Sequence, residues 1–293
     1  MDQYTIDKRW VKQSFSRAAT SYDAAAVLQA EVRERMMSRL EYVKLAPNMI
    51  VDAGCGTGHA SHTLLKKYPA SQVLSLDIAM GMLKQTQLSA GFSSQLLGMI
   101  GLSRHRFTVG DIEQLPIASN SAQLVWSNLA VQWCNDLDAA FSEANRVLQA
   151  GGLYSFTTLG PDTLKELRAA SNVDADHVHV SRFIDMHDIG DALVRAGFNA
   201  PVLDVERFTL TYDNVVTLMR DLKAIGAHNA TQGRNRGLLG RGFLQKLTDN
   251  YEQFRSEGKL PATYEVVYAH AWKPEAKPQL DVGLSPITFR KRD

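Results

Sequence analysis

A glycine-rich turn after a short apolar strand is the feature that most constrains how this chain can fold. Residues 49–51 predict a buried strand, which runs directly into Asp52-Ala53-Gly54-Cys55-Gly56-Thr57-Gly58 and then into a predicted helix. Three alternating glycines permit a tight turn, and they let the backbone approach a ligand at a distance that a Cβ would prevent. A strand, a glycine-rich turn and a helix in this order predict a nucleotide-type binding site at the end of the strand.

The composition is that of a globular chain with a substantial core. Hydrophobic residues make up 45% and charged residues 22% of the 293 positions, and the formal net charge is +1. So small a net charge gives no general attraction to nucleic acid or to an anionic membrane, and neither partner is expected. The two cysteines, Cys55 and Cys134, are too few for a disulfide framework or a zinc site, so no metal is expected. The N-terminus has no apolar signal core and no apolar run approaches about 18 residues, which predicts a cytoplasmic protein.

On both sides of this turn, short apolar runs alternate with helical stretches through the first half of the chain. An amphipathic helix is predicted before the turn, over 24–43, because apolar residues recur there at every fourth position. Alternation of this kind predicts a parallel sheet with helices on both faces. The predicted strands cover residues 49–53, 72–77, 106–109, 123–127 and 153–159, and the predicted helices cover 59–68, 80–90 and 137–149, with Gly151-Gly152 as a helix stop.

The second half of the chain has a looser rhythm. Roughly fifty residues separate its two predicted strands, far more than a hairpin needs, so we expect a helical lid over the ligand edge of the sheet. The tail mixes proline, lysine and glycine without periodicity and is expected to be disordered. The strands are predicted over 202–212 and 264–272, and the helices over 162–171, 187–196, 214–225 and 238–255. The chain thus divides into an N-terminal helical flap (1–46), a cofactor-binding core (47–160), the remaining strands with the acceptor-binding lid (161–272) and the tail (273–293).

Three acidic residues in the turn and at the strand ends indicate what the turn binds. Asp77 ends the second strand, where a carboxylate can accept hydrogen bonds from two ribose hydroxyls, as in dinucleotide-binding proteins. Asp111 follows the third strand, where it can accept from an adenine amino group while Ile112 packs on the ring. Asp52 adds a carboxylate in the turn itself. Because these acids would attract a cationic ligand and repel a pyrophosphate, they favour S-adenosylmethionine over a dinucleotide.

The order of these motifs is similar to that of a known superfamily. The turn, Asp77, the Gly110-Asp111-Ile112 segment and Ser127-Asn128-Leu129-Ala130 together resemble the class I S-adenosylmethionine-dependent methyltransferases. That resemblance implies a Rossmann-like α/β fold with a seven-stranded, mostly parallel sheet, helices on both faces and a helical lid. It also implies that S-adenosylmethionine is the methyl donor and S-adenosylhomocysteine the product.

Further motifs resemble one family within that superfamily, the malonyl-acyl-carrier-protein O-methyltransferases of biotin synthesis. The residues that show this resemblance are 15–19, 21–22, 126–134, 156–159, 181–183, 222–227 and 263–265. It implies methyl transfer to the free carboxylate of a malonyl thioester on acyl carrier protein, and we expect a monomer or a weak dimer. Two alternatives stay open: an O-methyltransferase for another small acceptor, and an S-adenosylmethionine-binding assembly factor of the complex I type.

The candidate cofactor contacts combine the turn, the strand-end acids and an aromatic N-terminal segment. In the family that the sequence resembles, that segment covers the cofactor, which would bring Phe15 and Tyr22 close to the methyl group. For Met82, packing in the core is an equally good interpretation. The full set of candidates is Phe15, Tyr22, Asp52, Gly54, Gly56, Gly58, Asp77, Ile78, Met82, Asp111, Ile112 and Asn128.

The chemistry of the implied acceptor limits what catalytic groups are needed. A malonyl carboxylate has a reference pKa of roughly 3 to 4 and is already anionic at neutral pH, so no general base is required. Placement of one carboxylate oxygen and exclusion of water remain as the tasks of the protein. Tyr22, Asn128 and Arg182 are the candidates for orienting the carboxylate, and Trp133 is a candidate substrate contact. Core packing of Tyr22 and Trp133, and an ion pair of Arg182 within the lid, are the alternative interpretations.

A basic stretch in the predicted lid indicates where a protein partner binds. Residues 222–248 contain no Asp or Glu, and a surface of one sign speeds encounter with a strongly acidic partner such as an acyl carrier protein. A solvated basic face is the alternative interpretation, and a lone histidine such as His228 is more often structural. Nucleic acid is a weaker use, because stacking aromatics are not interleaved. The candidate substrate and partner contacts are Trp133, Arg182, Lys223, His228, Arg234, Arg236 and Arg241.

Overall fold

The protein is built around one seven-stranded sheet. The structure is a computed structural model, and it describes residues 5–91, 102–171, 183–227, 230 and 241–275. The strands are β1 (Met49–Ala53), β2 (Gln72–Asp77), β3 (His105–Val109), β4 (Ala122–Ser127), β5 (Leu148–Leu159), β6 (Asn199–Tyr212) and β7 (Leu260–Trp272). Their order across the sheet is β3-β2-β1-β4-β5-β7-β6, and only β7 runs antiparallel to its neighbours among these strands. The predicted seven-stranded, mostly parallel sheet is confirmed.

Helices cover both faces of this sheet. Along β4, Trp126 packs into one core cluster and Val125 into the other, as alternating side chains of a strand with two buried faces must. The first cluster includes Leu64 and Tyr251 from helices on one face, and the second includes Phe141 from a helix on the other. The helices are α1 (Lys8–Ala18), α2 (Tyr22–Ala25), α3 (Val27–Arg39), α4 (His59–Lys67), α5 (Met80–Ser89), α6 (Leu137–Val147), α7 (Lys165–Ser171), α8 (Met186–Arg195), α9 (Val215–Ala224) and α10 (Arg241–Tyr251).

The N-terminal segment differs from the sequence prediction. The helix predicted over 24–43 is divided into α2, α3 and a 3-10 turn at Leu40–Tyr42, and the polar start contains a further helix, α1. Asp7 caps α1, since its side chain accepts hydrogen bonds from the backbone N–H groups of Arg9 and Trp10. Val11, Phe15 and Ala18 recur on one face of α1 at helical spacing, so its sequence does carry a helical signal, which the prediction overlooked.

The region around Gly151-Gly152 also differs, because these glycines lie inside β5 and do not stop a helix. Helix α6 ends at Val147 and β5 begins at the next residue. Gly151 has a φ of +74°, and its N–H donates to the carbonyl of Lys273 at 3.0 Å. The pairing of β4 with β5 shifts register just before this point. Pairing with neighbouring strands, which local sequence does not reveal, therefore overrides the usual tendency of glycine to end a helix.

The connection between β6 and β7 contains α9 and α10, in agreement with the two helices predicted for the lid. Part of that connection, residues 228–229 and 231–240, lies outside the described residues. Across the described parts of the chain, no helix combines the length and the apolar character needed to cross a membrane.

Candidate active site

A cleft of about 630 Å³, counting the space that is open to solvent, lies at the carboxyl ends of the central strands. It is located where the strand order reverses, between β1 and β4, which is where open α/β sheets bind their ligands. The lining residues are Lys8, Val11, Phe15, Tyr22, Gly54, Gly56, Leu76, Asp77, Ile78, Met82, Gly110, Asp111, Ile112, Asn128, Leu129, Ala130, Trp133 and Cys134.

The three glycines of the turn have different surroundings. All three have positive φ, at +79° for Gly54, +55° for Gly56 and +89° for Gly58. A Cβ added to Gly54 would lie 2.3 Å from Cβ of Ala130, and one added to Gly58 would lie 2.3 Å from Cγ2 of Thr86. A Cβ added to Gly56 would meet nothing within 4 Å. Gly54 and Gly58 are thus required by protein packing, whereas Gly56 leaves open space beside the cleft.

Asp77 holds the turn from the end of β2. Its Oδ2 accepts a hydrogen bond from the N–H of Gly56 at 3.0 Å, and its Oδ1 accepts one from the N–H of Ala79 at 2.7 Å. Burial raises the pKa of Asp77 to about 6, although these backbone donors oppose the shift. Each carboxylate oxygen keeps a lone pair, so Asp77 can accept two further hydrogen bonds from a ligand in the cleft.

Asp111 forms an ion pair with Lys8, a residue that the sequence did not predict for this site. Nζ of Lys8 lies 2.9 Å from Oδ1 of Asp111 and 3.2 Å from Oε2 of Glu113, and Lys8 lines the cleft. A second contact fixes the same segment, because the N–H of Ile6 donates to Oδ1 of Asn135 at 2.7 Å. The start of α1 is therefore bound to the loops that follow β3 and β4. Lys8 lies 103 residues from Asp111, so no local signal could have found the pair.

Aromatic side chains form the wall of the cleft that α1 contributes. The ring of Phe15 contacts the ring of Trp133 edge to face, with centroids 5.2 Å apart, and lies 6.5 Å from the ring of Tyr22. Gly226, just after α9, packs against the same ring, since an added Cβ there would be 3.2 Å from Cδ1 of Phe15. Phe15, Tyr22 and Trp133 are thus brought together at the cleft, and their contacts with cofactor and acceptor stay predictions.

Asn128 lines the cleft, and its amide also forms hydrogen bonds with neighbouring elements. Its Nδ2 donates to the carbonyl of Gln29 at 3.1 Å, and its Oδ1 accepts from Oγ1 of Thr157 at 2.9 Å. The next residue, Leu129, has a φ of +48° and donates its N–H to the same Oγ1. One amide hydrogen and one lone pair of Asn128 remain for a ligand.

Asp52 lies beneath the turn instead of in the cleft lining. Its Oδ2 accepts a hydrogen bond from Oγ of Ser61 at 2.5 Å, and a chain of contacts continues through Ser75 to Nε2 of His105. Burial raises the pKa of Asp52 to about 7. The structure thus does not bring Asp52 to the cleft lining, and Gly58 is likewise absent from it. Asp52 is directed towards α4, which contributes Ser61.

Comparisons with known proteins agree with this architecture. Residues 51–156 match the family described as "Methyltransferase domain". A malonyl-acyl-carrier-protein O-methyltransferase from Methylovorus sp. (strain MP688) is 65% identical over 291 residues, covering 99% of this chain and 97% of the relative. This chain belongs to the malonyl-acyl-carrier-protein O-methyltransferase family.

Other similarities extend over most of the chain. A second malonyl-acyl-carrier-protein O-methyltransferase, from Gallionella capsiferriformans (strain ES-2), is 56% identical and covers 96% of each chain. The crystal structure of the YcgJ protein from Bacillus subtilis has a TM-score of 0.57 at 14% identity and covers 83% of this chain and 99% of that one. That similarity supports the fold alone, since one fold serves many activities.

Several candidate acceptor contacts of this O-methyltransferase family member fall outside the described residues. They are Arg182, His228, Arg234 and Arg236, and the side chain of Arg241, the first residue of α10, also lies outside. Lys223 is described, and its side chain is exposed at the end of α9. These acceptor contacts stay predictions.

Sequence reasoning missed seven lining residues. Gly110 belongs to the Gly110-Asp111-Ile112 motif, and an added Cβ there would lie 2.8 Å from Cδ1 of Leu76. Ala130 belongs to the motif after β4 and could have been included on that basis. The missed residues are Lys8, Val11, Leu76, Gly110, Leu129, Ala130 and Cys134.

Proposed function

We propose that this chain transfers a methyl group from S-adenosylmethionine to the free carboxylate of a malonyl thioester on acyl carrier protein, giving the malonyl methyl ester that starts pimeloyl synthesis for biotin. The observation that supports this most is the 65% identity, over nearly the whole of both chains, to a protein with that name. The cleft supports the cofactor part of this proposal independently, because its position and its lining suit a cationic nucleoside.

The cleft residues fit S-adenosylmethionine on chemical grounds. Gly56 leaves open space against the turn, and Asp77 keeps two lone pairs for ribose hydroxyls. Lys8 is the only cation among the described lining residues, and two carboxylates neutralise it. The surroundings therefore favour a cation and offer no site for a pyrophosphate. When bound, the cofactor supplies an electrophilic methyl group on a sulfonium.

The residues of the chain itself contribute placement and exclusion of water. Desolvation raises the pKa of the Tyr22 phenol far above neutrality, so Tyr22 is a neutral hydrogen-bond donor and no base. Burial also raises the pKa of the Cys134 thiol to about 12, which keeps it neutral. Because the malonyl carboxylate is already anionic, no proton has to be removed. Orientation by Tyr22 and Asn128, with Phe15 and Trp133 excluding water, can supply about 7–11 kcal/mol of the barrier reduction.

The pKa of Asp77 predicts a pH dependence of cofactor binding. With the pKa of Asp77 at about 6, its carboxylate accepts hydrogen bonds from the ligand above that pH and becomes protonated below it. Affinity for S-adenosylhomocysteine is expected to be nearly constant between pH 6.5 and 7.5 and to fall about tenfold per pH unit below pH 6. Calorimetric titrations from pH 5 to 7.5 check this. An equally steep fall in Asp77→Asn would assign the effect to another group.

Lys8→Met is expected to weaken S-adenosylhomocysteine binding about fivefold and to speed its release. The ion pair with Asp111 and Glu113 is half-buried, and loss of about 1 kcal/mol would free the start of α1 from the cleft. Stopped-flow fluorescence of ligand release measures the effect. Lys12→Met is the matched control, because Lys12 lies on the exposed face of the same helix. Equal release rates in the two variants would show that Lys8 does not hold α1 closed.

Growth of a biotin-requiring bacterial strain that lacks its own malonyl-carrier methyltransferase tests the proposed function in a cell. Expression of this chain should restore growth without biotin, and expression of Asp77→Ala should not. Failure of the unaltered chain, when it is soluble and binds S-adenosylhomocysteine, would contradict the proposal. That outcome would favour a different acceptor or a binding protein without turnover.

A further inference from the structure

Helix α1 has a uniformly basic outer face. From residue 8 to residue 22 the sequence contains four Lys or Arg residues and no acid. The side chains of Arg9, Lys12 and Arg17 are exposed, and helical geometry places them within about 140° of the helix circumference. Gln13 is exposed on the same face, whereas Ser16 contacts Gly81 at the start of α5 there.

The charges on this face have no ion-pair partner within the described parts of the chain. Elsewhere on the surface, arginines are commonly paired, as Arg195 is with Asp138 and Arg255 with Glu252. Arg9, Lys12 and Arg17 have no such contact. Three uncompensated cations on one exposed helix face project a positive field outward, and a partner of opposite charge would be attracted and oriented by it.

The inner face of the same helix lines the cleft, through Lys8, Val11 and Phe15. The outer face is therefore about one helix diameter, roughly 10–12 Å, from the cofactor site. The segment that follows α9 packs on the buried side of α1, because an added Cβ at Gly226 would lie 3.3 Å from Cβ of the buried Ala18. Lys223, three residues before Gly226, adds an exposed cation beside the helix.

We infer that the outer face of α1, together with Lys223, is the surface on which the acidic carrier protein docks. This inference rests on the proposed function and names the surface through which its substrate arrives. A carrier bound there lies on the helix whose inner face forms one wall of the cleft. Single-stranded nucleic acid fits this face poorly, since it has no aromatic side chain on which bases can stack. A small free acceptor would gain nothing from charges on the outside of the helix.

The docking surface also explains why α1 is fixed to the core at several points. The N–H of Gly81 donates to Oγ of Ser16, and Asp7 donates its N–H to the carbonyl of Ala230 in the lid. A carrier that binds the outer face therefore presses on the element whose inner face covers the cofactor.

The double variant Arg9→Glu/Arg17→Glu tests this surface. Lys12 is left unchanged, because a glutamate there would stand one helical turn from Lys8 and compete for it. We expect kcat/KM for the malonyl carrier to fall at least about tenfold at low salt, with a weaker salt dependence than in the unaltered protein. Affinity for S-adenosylhomocysteine, measured by calorimetry, should stay within about twofold.

The matched control is Lys44→Glu/Lys66→Glu, which changes the net charge equally. Lys44 precedes β1 and Lys66 lies in the last turn of α4, so both exposed cations lie at the opposite edge of the sheet. This control should keep the kcat/KM of the unaltered protein within about twofold. The docking surface would be overturned if kcat/KM fell equally in the two double variants or did not fall in Arg9→Glu/Arg17→Glu. It would also be overturned if Arg9→Glu/Arg17→Glu lost affinity for S-adenosylhomocysteine in parallel. No transfer by the unaltered protein would instead contradict the proposed function.

Discussion

Asp77→Ala is expected to weaken S-adenosylhomocysteine binding by at least about 100-fold and to abolish methyl transfer. Asp77 is the one cleft carboxylate that both fixes the glycine turn, through the N–H of Gly56, and keeps lone pairs for two ribose hydroxyls. Hydrogen bonds to a charged group contribute about 1.5–3 kcal/mol each, so the loss of two amounts to about 3–6 kcal/mol. Calorimetric titration with S-adenosylhomocysteine measures the effect directly.

Two further variants separate binding from folding in this experiment. Asp77→Asn keeps the shape of the side chain and an acceptor for one of the two backbone N–H groups, so it should lose some stability, which chemical denaturation measures, but still fold and lose most of the affinity. Asp191→Ala removes an exposed acid on α8 and should bind like the unaltered protein. Affinity of Asp77→Asn within about threefold of the unaltered protein would mean that Asp77 does not contact the ligand.

Alanine substitutions at Gly54 and Gly56 are expected to affect different properties, mainly stability at Gly54 and mainly ligand affinity at Gly56. Gly54→Ala places a Cβ 2.3 Å from Ala130 at a φ of +79°, so crowding of about 1–3 kcal/mol adds to about 1–2 kcal/mol of backbone strain. Its free energy of unfolding should fall by about 2–5 kcal/mol. Gly56→Ala meets no protein atom within 4 Å, so it should lose only the backbone strain but bind S-adenosylhomocysteine at least about tenfold more weakly.

Chemical denaturation and calorimetry of both variants measure this contrast. The double variant Gly54→Ala/Ala130→Gly removes the crowding atom and should recover part of the lost stability. If Gly56→Ala binds the ligand as tightly as the unaltered protein does, the cofactor does not lie against the open side of the turn.

The central strands and the turn could be predicted from sequence because their signals are local. Strands β1 and β2 were predicted with their observed bounds, since each is a short apolar run that ends in an acid or a glycine turn. The fold class followed from the alternation of strands and helices. The acids that end β2 and follow β3 were correctly placed at the cleft, because the carboxyl ends of parallel strands meet at one edge.

Other features depend on contacts between distant segments, which local sequence does not show. Lys8 reaches Asp111 across 103 residues. Asp52 precedes the turn and so was expected to meet the ligand, yet its hydrogen bond with Ser61 keeps it beneath the turn. The sequence predicts a helix stop at Gly151 and Gly152. These glycines lie in a strand because β5 pairs with β4 and β7, and that pairing is not visible in the local sequence.

The two faces of α1 connect the cofactor site with the proposed carrier surface. Phe15 and Lys8 on the inner face line the cleft, while Arg9 and Arg17 face outward. Variants of the inner face should therefore change cofactor release, and variants of the outer face should change only the reaction with the carrier. This division makes the two roles separable by experiment even though one helix performs both.

Methyl transfer to the malonyl carboxylate is tested most directly by mass spectrometry of a malonyl carrier protein. The carrier is incubated with this chain and with S-adenosylmethionine that carries a deuterated methyl group. One labelled methyl group is expected on the carrier, bound as an ester of the malonyl carboxylate. It should be absent when the carrier bears an acetyl group instead. No labelled ester is expected with Asp77→Ala. A carrier that remains unlabelled, with an enzyme that binds S-adenosylhomocysteine, would contradict the central claim.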